Sequence, residues 1–426
     1  MKRITLIINE IISKLTNLRF NRIFVNMIIR HISKHILAYS KQYPVLALVG
    51  PRQSGKTTLV QALFPSYKYL SLENINIRQS AIDDPEGFLE THGPFLILDE
   101  IQQVPELFSY LQGKVDANQE PAQYILTGSS QFLLMEQITQ TLAGRIITFK
   151  LFPLTFTELH GYAEDNDADA IFRTFFPSRP KVSQEELYQL LLTGLYPRIY
   201  DKQLDSGKWY ENYVATYVER DVRSLLNIRN LRTFEHFLLL CASRSGQLLD
   251  YSDLSSALGI AVSTVKEWVS VLEASGIVFL LTPYFENFSK RIVKTPKLYF
   301  IDTGLLCHLL SIRTIDHLKG HPLLGWIFET FIISECFKRF HHAATSPRLY
   351  FWRDQTQNEI DLLIYNGREG FPVEVKCSQS YHPDFRKTLE SWISLKGNPA
   401  KQGTIIYCGD LMHTTQSIPT IPWYML

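Results

Sequence analysis

An α/β fold assembled from several units is predicted for this 426-residue chain, on three observations. The apolar run VLALVG (45–50) passes through a glycine-bearing loop straight into a helical segment. Three further apolar runs, YKYLSL (67–72), FLILDE (95–100) and QYILTG (123–128), alternate with helical stretches, the pattern of repeated βα units around a parallel sheet. Beyond residue 249 come helix, tight turn, helix and strands, and a mixed set of helix and strands follows to the end.

The totals bound what the chain can be. Its length suggests about two to four domains. Hydrophobic residues make up 45% and charged residues 20%, an ordinary globular balance. With 43 basic against 42 acidic side chains the formal charge is +1, which neither demands nor excludes nucleic acid. Cys241, Cys307, Cys336, Cys377 and Cys408 are scattered without a C-x-x-C pair, which argues against a disulfide framework and structural zinc and for a reducing cytoplasm. No apolar run reaches the ~18 residues that span a bilayer, so no membrane partner is expected. Residues 1–26 read as an N-terminal extension. Seven basic residues up to Lys34 face one acid, Glu10, and we read this stretch as a core-packed helix or an extension upstream of a start at Met27, in preference to a membrane-surface or targeting segment.

The loop Gly50-Pro51-Arg52-Gln53-Ser54-Gly55-Lys56-Thr57 fits G-x-x-x-x-G-K-[ST] at every position, and Thr58 follows it. Its glycines let the backbone curl so that N–H groups surround phosphate oxygens at a helix N-terminus. Lys56 would reach the β and γ phosphates of ATP, and the Thr57 hydroxyl would ligate Mg²⁺. Asp99 and Glu100 end the strand FLIL, where the first acid would face that Mg²⁺ and the second polarise the attacking water. The fourth strand ends in Thr127-Gly128-Ser129-Ser130, where Ser129 would sense the γ-phosphate or simply turn the chain. Arg145, in LAGR, is either a surface arginine or a source of positive charge, in cis or from a neighbouring copy in a homo-oligomer.

Residues 27–150 thus form a P-loop ATPase core, 151–233 a helical lid or linker, and 234–300 a winged helix-turn-helix. In the last unit a helix over 253–258 turns at Gly259, Ser263 caps a second helix, and Gly276 ends it. The basic stretch Lys290, Arg291, Lys294 and Lys297, with the helix Thr264 to Glu273, would lie along DNA; docking a protein partner is the other use of such a unit. Arg220 and Arg223 around Asp221 read as a structural ion-pair network, and His341 and His342 as surface or satisfied core residues.

GPRQSGKTT, FLILDEIQ, YILTGSSQFLL, LAGR and LFPLTFTEL resemble a family of prokaryotic AAA-type ATPases that pair an N-terminal ATPase core with a C-terminal domain of unknown function. TYVERDVR (216–223), KRIVKTPKLYFIDTGLL (290–306), WIFETFIISE (326–335) and WRDQTQNEIDLLI (352–364) are similar to that family's C-terminal half. The resemblance runs from about residue 27 to the end. It implies an AAA-type sheet, a helical lid, a winged helix and, over 301–426, a mixed α/β module similar to PD-(D/E)XK nucleases.

In that module, EIDLLIYNGREGFPVEVKC (359–377) carries Asp361, Glu374 and Lys376 among aliphatics. A nuclease-like site needs two carboxylates on adjacent strands for Mg²⁺ and a lysine beside them. A four-residue turn from Asn366 to Glu369 pairs Tyr365 with Gly370 and sets Asp361 across from Glu374; a two-residue Asn366-Gly367 turn shifts the pairing yet keeps both acids on one face, and an odd-length loop would send them to opposite faces. Lys376 shares the face of Glu374, and Glu329 matches the family's helical acid. The expectation is a second Mg²⁺ site formed by Glu329, Asp361 and Glu374 with Lys376. Its rival is a nuclease-like fold kept for binding, its acids paired to Lys376 or Arg353. For the whole chain the expectation is an AAA-type ATPase that couples MgATP turnover to the C-terminal half; its rivals are a nucleotide-switched signalling or scaffold protein and an ATP-gated DNA endonuclease.

Overall fold

The computed structural model describes residues 28–118, 120–129, 141–162, 179–217, 231–284, 294–395, 398, 400, 402–414 and 418–426. Residues 1–27, Ser130, Arg220, Asp221, Arg223, Lys290 and Arg291 lie outside them, so the expectations placed there are not addressed.

β1 (Val45–Val49) is buried at every position, as an uninterrupted aliphatic run in a parallel sheet should be. With β2 (Lys68–Ser71), β3 (Leu96–Asp99), β4 (Tyr124–Gly128) and β5 (Ile146–Lys150) it forms a parallel sheet in the order β2-β3-β4-β1-β5. Alternation of side chains along β1 feeds two cores. Val45, Ala47 and Val49 join Leu96, Leu98 and Leu126, whereas Leu46 and Leu48 join Leu59, Val60, Ile125 and Phe149. Register sets Val49 beside Gly128 and Leu98 beside Leu126, so the carboxyl ends of β1, β3 and β4 open on one edge, where ligands of such sheets bind.

A helical segment follows, including Gln184–Thr193, Pro197–Asp201, Ser206–Tyr217 and Leu231–Ser243. The helix Tyr251–Leu258 starts two residues earlier than expected because Asp250 caps it, accepting from the N–H groups of Ser252 (2.8 Å) and Asp253 (3.1 Å). Gly259 makes the turn in the left-handed region (φ 66). The next helix is Val262–Ala274, with Ala261 at the N-cap and no side-chain cap; Ser263 lies inside the first turn, a correction to its expected role.

β6 (Val278–Pro283) pairs antiparallel with β7 (Lys297–Phe300), yet its end also pairs in parallel with β8 (Leu349–Arg353) through Thr282 and Pro283. The sheet continues through β9 (Glu359–Tyr365), β10 (Gly370–Lys376), β11 (Thr404–Tyr407) and β12 (Thr420–Pro422), in the order β12-β11-β10-β9-β8-β6-β7. One apolar core runs from Phe152 to Met425 and takes in Trp268, Phe279, Phe331 and Trp423. The expected boundary at 300/301 therefore cuts through a single sheet and a single core.

Candidate functional site

The loop after β1 adopts a conformation that its sequence permits only with glycine at the ends. A β-carbon on Gly50 (φ 153) would stand 2.0 Å from the Leu151 carbonyl oxygen. Gly55, at φ 95, is the N-cap of the helix Lys56–Leu63. The buried Lys56 ammonium arches back over the loop and donates to the carbonyls of Gly50 and Pro51, each at 2.9 Å.

Asp99 stands where the tips of β3 and β4 meet the first turn of that helix. Its Oδ1 accepts from the Thr57 hydroxyl (3.1 Å) and from Thr127, and its Oδ2 accepts from Tyr69 (2.8 Å). Thr57 and Asp99 thus present adjacent hard oxygen donors to the cleft, which fit a magnesium ion. Glu100 (φ 55) turns back toward β4, where its Oε2 accepts from Ser129 N (3.2 Å) and Oγ (2.9 Å) and from Gln102. Burial pushes this carboxyl up, but the Lys56 ammonium and the bonds from Gln102 and Ser129 outweigh it and hold Glu100 below the usual carboxylate range. The sequence-based set of Gly50, Pro51, Arg52, Gln53, Ser54, Gly55, Lys56, Thr57, Thr58, Asp99, Glu100 and Ser129 is brought together.

A cleft of about 1110 Å³ opens on these groups. Arg52 lies at its wall, 3.9 Å from Glu73. The helix Pro197–Asp201 adds Arg198 and Lys202 to the lining, and the Pro197 ring lies 3.7 Å from where a Gly55 β-carbon would stand. Arg145 is elsewhere. It precedes β5, at the amino-terminal end of the sheet, and holds Asp116 through Nε (2.5 Å) and Nη2 (2.9 Å). Since Val45 and not Val49 is the β1 residue beside it, a contribution in cis to this cleft has no geometry.

Sequence reasoning missed Arg30 as a site residue because no motif marks it. The buried guanidinium donates through Nη1 to the Ser54 carbonyl (2.8 Å) and through Nη2 to the Phe152 carbonyl (2.7 Å), and its Nε is 3.2 Å from Glu158. Glu158 also closes a capping box with Thr155 on the short helix Phe156–Leu159. Burial works against its charge, but Arg30 and His342 hold the carboxyl well below its ordinary range. His342, far from being a surface residue, is fully buried in this knot.

In the C-terminal sheet the expected register is present: Tyr365 pairs with Gly370 and Leu362 with Val373, closed by Asn366 N to Glu369 O at 3.2 Å. Asp361 and Glu374 therefore share a face, and Asp361 accepts from Val375 N at 2.8 Å. Glu329 faces them from the helix Leu324–His342. The charges around these acids differ from the simple expected set. Among the described residues, no three His, Cys, Asp or Glu side chains are grouped so as to hold a metal ion. Lys297, 1% exposed, sends its ammonium among the acids, 3.2 Å from Glu329 and in contact with Glu359, over the rings of Trp326, Phe351 and Tyr299. Tyr299 donates to Glu329 at 2.6 Å, Arg353 holds Glu359 at 3.1 Å, and Lys376 holds Glu374 at 2.5 Å. Burial, reinforced by the charge of Asp361, pushes Glu374 up to about 8, and burial raises Glu329 to about 7 against the pull of Lys297. Lys297 is also withdrawn from the proposed basic stripe: a buried ammonium cannot lie along a phosphate backbone. Lys294 and Lys266 remain exposed.

Comparison with known proteins finds three family models along the chain. Residues 42–160 match a family model described as an AAA domain, residues 184–316 a domain of unknown function (DUF8612) and residues 324–426 another (DUF4143). An uncharacterized protein of Mycobacterium tuberculosis is 29% identical over 352 residues, covering 82% of this chain and 73% of that protein. An uncharacterized protein of Methanocaldococcus jannaschii is 23% identical over 416 residues, covering 89% and 83%. Among solved structures, a Walker-type ATPase of Pyrococcus abyssi covers 67% of this chain and 96% of its own, at 16% identity and a TM-score of 0.42. The AAA match and the loop geometry support an ATP-binding ATPase core over residues 42–160. Among the described residues, no helix is long and apolar enough to cross a membrane.

Proposed function

We propose, from the premise that residues 42–160 match an AAA domain, that the chain binds MgATP in the cleft at Gly50–Thr58 and hydrolyses it. The observation that carries this reading is the meeting of Thr57 with Asp99 at 3.1 Å, one residue from an ionised Glu100. Loop N–H groups and Lys56 hold the phosphates, and Glu100, fixed by Ser129 and Gln102, takes a proton from the attacking water. Magnesium, when bound with the nucleotide, would be held by Thr57 and Asp99 and would neutralise phosphate charge. Turnover then sets the state of the winged-helix and nuclease-like C-terminal half, which engages DNA.

The second reading is a nucleotide-switched scaffold whose nuclease-like fold binds without cutting. It draws support from Lys297, whose ammonium pairs with Glu329, one of the three acids a metal would need, and with the neighbouring Glu359. ATP turnover by the full chain, measured with and without duplex and single-stranded DNA, decides between the two. Lys56→Ala is expected to abolish nucleotide binding, and Glu100→Gln to keep binding while turnover falls by about 10²- to 10⁴-fold. Stimulation by DNA supports the first reading, and indifference to DNA the second. No turnover by the wild type, or wild-type turnover in Lys56→Ala, would overturn both.

A further inference from the structure

The helix Leu324–His342 has its two ends tied to different machinery. Near its start, Glu329 accepts from Tyr299 and Lys297. At its last residue, His342 sets Nδ1 3.3 Å from Glu158 and Nε2 3.4 Å from both Arg30 Nη2 and Phe152 N. About 20 Å of helix lies between these residues. Arg30 reaches from the same knot to the carbonyl of Ser54, the residue just before the left-handed Gly55, so it fixes the direction in which the loop enters its helix.

We propose that Arg30 is a positioning residue for ATP turnover, and that Arg30, Glu158 and His342 join the curvature of the nucleotide loop to the helix Leu324–His342, so that the C-terminal half reads the nucleotide state. This rests on the ATPase reading above. A guanidinium is a rigid planar fork, and this one is held on three sides: by Ser54, by Phe152 and by Glu158. If phosphate binding moves the Ser54 carbonyl, the fork must follow it or release it. Following it pulls on Glu158, which also accepts from His31 N (2.8 Å) and Thr155 N (3.0 Å). Releasing it leaves a buried carbonyl without its charged donor. Packed interiors resolve such conflicts by switching between discrete arrangements, and the element next in line is the helix that ends at His342.

That helix packs against β7 and β10. Immediately after β10 stands Cys377, half-buried, with its Sγ 3.5 Å from that of Cys408; the other four cysteines are buried. Cys377 is thus a built-in reporter at the far end of the connection.

The test is the rate of Cys377 alkylation by iodoacetamide in the full chain, read by peptide mass spectrometry with and without MgATP. In the wild type the rate is expected to change about fivefold or more on saturation with nucleotide. Arg30→Lys keeps the charge and loses the fork; its kcat is expected to fall about tenfold with little change in nucleotide affinity, and the Cys377 response to vanish. His342→Gln is expected to keep nucleotide binding and to lose the response, and it carries the test if Arg30→Lys does not fold. A wild type that hydrolyses ATP with Cys377 indifferent to it overturns this inference alone, as does either folded variant with an unchanged response. A wild type that binds no nucleotide overturns the ATPase reading and this inference with it.

Discussion

Glu374 is buried beside Asp361 with the ammonium of Lys376 at 2.5 Å, and its Oε2 has no hydrogen-bond partner among the described residues. Its folded pKa of about 8 lies above the ordinary 4.5 of a glutamate in the unfolded chain. The folded state therefore holds the proton more tightly: the contribution is fully present below the unfolded value and is lost as pH rises through the folded one. Melting temperature is expected to fall from about pH 5 to pH 8 in the wild type and to fall less in Glu374→Gln, read by thermal melts across that range. At this scale the sequence was legible where chemistry is contiguous. Gly50 to Thr57 is a site in eight consecutive residues, and Asp99-Glu100 announces itself at a strand tip. The roles of Arg30 and Lys297 were not legible, because each works on partners far away in the chain.

Elements were readable where a local rule fixes them. The shared face of Asp361 and Glu374 followed from the parity of one turn, because a loop of either two or four residues keeps them together; the four-residue pairing itself was one of two open registers. Helix starts were read less well. Asp250, not a residue within the helix, supplies the cap of Tyr251–Leu258, and Ala261 precedes the next helix without any side-chain bond. Asp250→Ala removes the acceptor of two N–H groups and is expected to cost about 1 kcal/mol in urea unfolding. Ser263→Ala, which removes no cap, should leave the unfolding midpoint nearly unchanged. The two cysteines that meet, Cys377 and Cys408, were read as scattered because sequence distance says nothing of neighbouring strands: Lys376 pairs with Tyr407 one step before them.

At the scale of the molecule, composition and spacing found the parallel sheet, but not that β6 and β7 join the sheet of the C-terminal strands. β6 and β7 have the length and turn signals of a separate small unit, yet β6 lies against β8, and Phe279 packs with Phe337 at 4.1 Å. Contacts between strands that are distant in sequence leave no local mark. A fragment of residues 234–300 is expected to lack a cooperative melt by circular dichroism, because it exposes the face of β6 that β8 and the helix Leu324–His342 cover in the full chain. Lys297 has one more consequence. Its positive charge is tethered by covalent bonds, so it can neither diffuse away nor be chelated, and it does not trade places with ions in the surrounding medium. Its pairing with Glu329 and Glu359 therefore does not depend on any ion the surroundings supply.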